Sequence, residues 1–128
     1  MPAPIAAEYE VTAIVAAHQA LLDLLDAGAG DAELVILSST DTALATAALD
    51  LSASAVNGTT GQLTLVATAT TGATSGVAAY GEVRDKGGAA QFSLPAQAGN
   101  AAVSGKLVIN TLTIIVGQPV SVVSLTVG

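Results

Sequence analysis

The fold is decided by Val11-Thr12-Ala13-Ile14-Val15-Ala16-Ala17-His18-Gln19-Ala20-Leu21-Leu22-Asp23-Leu24-Leu25-Asp26 and by the adjoining Ala27-Gly28-Ala29-Gly30-Asp31-Ala32-Glu33-Leu34-Val35-Ile36-Leu37. Val11, Ile14, Val15, His18, Leu22 and Leu25 recur at spacings of three and four, which aligns them on one side of an α-helix. Leu21 widens that stripe, while Gln19, Asp23 and Asp26 fall outside it. Gly28, just past the last apolar turn, is where such a helix stops. The run from Ala32 to Leu37 is then aliphatic, partly β-branched and of strand length. Everything beyond reads as strands and turns, so the helix must cover something that strands build. Its large aliphatics suit two surfaces: Ile14, Leu22 and Leu25 against the strands, and Leu21 or Leu24 toward a neighbour.

Upstream, Pro2 and Pro4 among small residues suit an extended segment. Glu8 and Glu10 place negative charge before the helix, where its dipole favours it. The N-cap is open between Thr12 and an earlier turn led by Glu10. The chain thus divides into an extended N-terminal arm, residues 1–10, and a single helix-plus-β-sandwich domain, residues 11–128.

Downstream, Ser38–Thr42 is a polar turn, and the stretch from Ala43 to Leu51 reads as a strand or as a short alanine-rich helix. Asn57-Gly58 is a turn dipeptide. From Gln62 to Thr70 the chain alternates, Leu63, Leu65, Ala67 and Ala69 facing one way and threonines the other. Val77 to Arg84 sets Val77, Ala79, Gly81 and Val83 against Ala78, Tyr80, Glu82 and Arg84, and Asp85-Lys86-Gly87-Gly88 turns it back into Ala89–Leu94. A loop from Pro95 to Gly105, short strands at Lys106–Asn110 and Thr113–Val116, a turn at Gly117-Gln118-Pro119 and a last strand from Val120 to Val127 complete the chain. About seven to eight strands at this cadence predict a mainly β fold, an antiparallel β-sandwich or jelly-roll-like domain with one N-terminal amphipathic helix.

Composition narrows the function. Ten acidic residues against three basic ones give a net charge of −7. Arg84, Lys86 and Lys106 are too few for a phosphate-tracking groove or an anionic membrane surface. The charged fraction is 10%, against roughly 25% in ordinary soluble domains. Much of the surface must therefore be uncharged, and either Thr/Ser-rich or covered by other subunits. The apolar windows are too short or too interrupted for a membrane span, and no cationic segment leads an apolar run as in a signal peptide. There is no cysteine.

No constellation of residues reads as an active site, so no enzyme, cofactor or small-molecule substrate is expected. His18 is the only histidine and lies in the apolar stripe, as a packed or interface histidine does. Asp23, Asp26, Asp31 and Glu33 gather around a glycine turn without the spacing of a calcium loop, which leaves a structural ion near Asp26, Asp31 and Glu33 as an open alternative. Glu82 and Asp50 are the strand-borne acids that a glycosidase would need, but stacking aromatics are scarce. Gly28-Ala29-Gly30 follows a helix and precedes a strand, the reverse of a dinucleotide loop. The Tyr80, Glu82, Arg84 face reads as an intersubunit salt-bridge patch or as a solvated hairpin end.

Three stretches carry a resemblance: Leu24-Leu25-Asp26-Ala27-Gly28-Ala29-Gly30 leading to Leu34-Val35-Ile36; Gly76-Val77-Ala78-Ala79-Tyr80-Gly81-Glu82-Val83-Arg84-Asp85; and Ile109-Asn110-Thr111 with Ile114-Ile115-Val116-Gly117-Gln118 and the valine-rich end. Together they resemble a group of small virion proteins of tailed bacteriophages. The resemblance implies a structural protein of the particle, of the capsid cement or decoration type. It would be a jelly-roll-like trimer on the capsid surface, assembled in the host cytoplasm. Its partners would be the major capsid protein and copies of itself, with no nucleic acid or membrane among them. Candidate assembly contacts are Pro2, Pro4 and Ile5 on the arm, Leu21 and Leu24 on the helix, and Tyr80, Glu82 and Arg84. The alternatives are a phage neck, tail or baseplate protein, or an adhesive or carbohydrate-binding β-sandwich.

Overall fold

The computed structural model describes residues 11–28 and 30–127. Helix α1 (Val11–Asp26) is followed by β1 (Glu33–Ser38), β2 (Ala43–Val56), β3 (Leu63–Ala67), β4 (Thr70–Thr71), β5 (Gly76–Arg84), β6 (Ala90–Ala98), β7 (Leu107–Ile109), β8 (Thr113–Ile114), β9 (Pro119–Val120) and β10 (Val122–Val127). Among the described residues the fold is mainly β, with one helix preceding the strands.

The strands close on themselves. Order runs β1-β2-β3-β10-β7-β6-β5, and β5 pairs back onto β1. Where the cadence of strands predicts two stacked sheets, the pairing goes round a single barrel. β1 explains the closure: Leu34, Val35, Ile36 and Leu37 are all buried, as in a strand bonded along both edges and covered on both faces. β4 and β9 form a separate small pair, and β8 bonds to the first residues of β5.

Ala43–Val56 is one strand of 14 residues, not a helix, and it runs past the expected end at Leu51. Its pairing with β3 slips between Asp50 and Ala55. Ser54 fills that slip: its hydroxyl donates to the Asp50 carbonyl at 2.8 Å and accepts from the Val66 N–H at 3.0 Å, so the displaced backbone stays satisfied. β6 also runs beyond expectation, through Pro95 to Ala98. Proline has no N–H to give to a ladder. Pro95 is the last residue that β6 sets against β5, and Ala96 begins its parallel pairing with β7.

The core is aliphatic. Leu34, Ile36, Leu63, Leu107, Ile109 and Leu125 fill the barrel, joined by Leu22 and Leu25 of the helix. Each such side chain contributes about 1.5–3 kcal/mol by leaving water. Gly81 is what lets β5 lie so close: a Cβ there would stand 2.6 Å from Leu107 Cδ2 and 3.0 Å from Leu34 Cδ1.

Both β2 and β5 run antiparallel to β1, so their C-terminal ends lie where β1 begins. The β2–β3 and β5–β6 turns therefore sit at the same end of the barrel, and α1 touches both.

Candidate functional site

The barrel has two contrasting ends. At the first, α1 is fastened at three points. Leu22 and Leu25 are buried in the core. Gly61 approaches Ile14 so closely that a Cβ would stand 2.6 Å from Cγ2, and its positive φ of 78° makes glycine natural in this turn. His18 Nδ1 donates to the Gly61 carbonyl, so the lone histidine, half-buried, is held in place by a backbone oxygen. At the far end of the helix, Lys86 Nζ reaches Asp26 Oδ1 at 2.9 Å. Asp26, a candidate ion ligand by its place in the sequence, is thus engaged by a lysine from the β5–β6 turn. Among the described residues no group of three or more His, Asp or Glu is placed to hold a metal ion.

Of the helix residues expected at an interface, Leu21 is half-buried against the core and Leu24 is 47% exposed. A shallow groove between Ala13, Ile14, Ala17 and His18 runs along the helix near its start. Pro2, Pro4 and Ile5 lie outside the described residues. No helix among the described residues is long and apolar enough to cross a membrane.

Tyr80, Glu82 and Arg84 share the outer face of β5, as alternation requires. They stand opposite Leu37, Val35 and Glu33 of β1. Arg84 Nε donates to Glu82 Oε1 at 2.7 Å, so this ion pair closes within the chain. Val35 and Leu37 are buried on that same face. The trio therefore roofs the outer side of β1 as well as presenting charge. Tyr80 Oη donates to Asp41 Oδ1 at 2.6 Å, and that bond, with partial burial and the carboxylate charge, raises the phenol above its ordinary value. Asp41 holds a left-handed turn with φ 64°. On the outer edge of β2, Asp50 accepts from Ser52 Oγ at 2.7 Å and from the Ala53 N–H at 3.2 Å, which lowers its carboxyl below the usual range.

The second end, away from the helix, has no marker in the sequence. Val77, Ile115 and Val116 are exposed by 62%, 52% and 57%. Val77 pairs with Thr113 in β8, and Ile115 and Val116 follow β8 directly in the chain. The platform beneath them is firm. The Gly72 N–H donates to the Gln118 carbonyl at 3.0 Å, and the Gly117 N–H to the Gly72 carbonyl at 2.9 Å. The Val116 N–H donates to Ser75 Oγ at 3.2 Å. Plain alternation along β5 places Val77 inside with Val83, and the structure corrects this. Ala79 is an extra residue between the pairs Leu37 with Tyr80 and Ser38 with Ala78, and this bulge reverses the faces before it. Ala78 is buried in consequence and Val77 is turned out.

Charge follows the same division. Asp23 and Asp26 lie on the helix, Asp31 and Glu33 at the start of β1, Asp50 in the last part of β2, Glu82, Arg84, Asp85 and Lys86 at the end of β5 and its turn, and Lys106 just before β7. All belong to the helix half. Of the charged residues described, only Asp41 belongs to the other end, and its carboxylate is bonded by Tyr80.

Comparison with family models, with curated proteins and with solved structures finds no match.

Proposed function

We propose that the chain is a structural protein of a tailed-bacteriophage virion, a capsid cement or decoration protein that stabilises contacts between subunits of the major capsid protein. One observation carries the reading beyond resemblance: a small closed barrel displays large apolar side chains at both ends, Leu24 at one and Val77, Ile115 and Val116 at the other. A cement protein binds by area and shape, and scattered aliphatics on a rigid body suit that role. Repetition over a shell then turns weak contacts into firm attachment. The arm, with Pro2, Pro4 and Ile5, would lie across a neighbouring subunit. The finer description as a jelly-roll-like body belongs to the same proposal. It is supported by the long return of β10 to lie between β3 and β7.

The test is the particle itself. Shells assembled without the protein should break at lower temperature, and adding it back should restore them. Shells of unchanged stability would refute the cement role. Copy number separates this reading from a neck, tail or baseplate location, which takes few copies per particle where cement takes hundreds.

A further inference from the structure

We infer that the barrel end bearing Val77, Ile115 and Val116 is a contact between copies of this chain. The inference rests on the assembly reading and names its self-contact, and charge decides the partner. Each copy carries a formal −7. Two copies meeting at their helix ends would bring Asp23, Asp31, Glu33 and Asp50 of each toward the other. At the opposite end Val77, Thr113, Ile115, Val116 and Gln118 are exposed and neutral, and the one carboxylate described there, Asp41, is held by the Tyr80 hydroxyl. From Val77 to Arg84 is seven residues of strand, roughly 23 Å at about 3.3 Å per residue. That exceeds the Debye length of about 10 Å at moderate salt, so copies joined at the neutral end feel little of each other's acidic halves. The second copy presents the same patch, aliphatic at its centre and rimmed by threonine and glutamine. Such a surface excludes water at its core, and none of the patch's own side chains brings a charge into the contact. The hydrogen bonds joining Gly72 and Ser75 to residues 116–118 hold the patch in shape before contact, which lowers the ordering cost of binding.

Sedimentation of the full chain over a concentration series tests this directly. The wild type should form a discrete oligomer. Val77→Asp and Ile115→Asp should each weaken it at least about tenfold, because each would bury an unpaired carboxylate in the contact. Leu24→Asp, at the helix end, should leave it intact. Raising ionic strength should not dissolve it. Because the chain has no cysteine, Val116→Cys supplies a unique thiol. Under mild oxidation it should cross-link pairs of chains, while Leu24→Cys should not; this measurement stands even where an aspartate variant fails to fold. A wild-type chain that stays monomeric, or an oligomer lost in Leu24→Asp and kept in folded Ile115→Asp, overturns the inference. Shell stability is a separate readout, so failure of self-contact and failure of the cement role are distinguishable.

Discussion

At Gly81 the barrel wall has no room for a side chain, because Leu107 and Leu34 already occupy the space a methyl would need. Gly81→Ala should therefore lower stability by about 1–3 kcal/mol, read as a fall in the urea midpoint with unchanged slope. Asp50 offers a pH test. Its folded carboxyl sits below the ordinary value, held there by Ser52 and the Ala53 N–H. The stability this contributes is present above about pH 4 and is lost as pH falls through the lowered value. Asp50→Asn keeps an acceptor oxygen without the charge, so its stability should decline less steeply in acid than that of the wild type. Tyr80 works in the opposite sense: its raised phenol supports the fold below about pH 10 and stops doing so as pH rises further. Tyr80→Phe should flatten the alkaline limb of the same curve. Neither Asp50 nor Tyr80 announces these bonds in the sequence. Ser52 and Ala53 stand close by in the chain, but Asp41 meets Tyr80 only through the fold.

Elements are legible where one period runs unbroken. The stripe of α1 predicts its extent and its buried residues, because four-residue spacing is set within the helix itself. Leu22 and Leu25 are inside and Leu24 is outside. Leu25→Ala should cost about 2–5 kcal/mol, and Leu24→Ala should stay within about 0.5 kcal/mol, measured by chemical unfolding of the two variants side by side. β3 keeps its alternation through Ala67 for the same reason. β5 does not, and the cause is a partner: the bulge at Ala79 exists only in its pairing with β1. The outward patch at Val77 arises from that one residue. A strand's phase is local information until a bulge intervenes, and no feature of Val77-Ala78-Ala79-Tyr80 marks one.

For the molecule as a whole, strand content and the single helix can be read from the chain, but closure cannot. Turn chemistry fixes hairpins such as β5–β6, whereas the joins of β1 to β5 and of β10 to β3 and β7 link distant segments. The division of charge is equally hidden. It depends on which strand ends share a rim, and it becomes visible once the register is known. The late position of β10 has a further consequence, in time rather than in space. β10 is the last described strand in chain order, yet it fills the gap between β3 and β7. Until it arrives, both neighbours expose unpaired backbone along an edge, the arrangement that templates misassembly. Pairings this distant are slow to form, on the order of milliseconds to seconds for β-rich domains. A chain synthesised in many copies at once would thus be most vulnerable in that interval. Refolding with a pulse of hydrogen exchange should show β1, β2 and β5 protected first, and β3 and β7 only when β10 is.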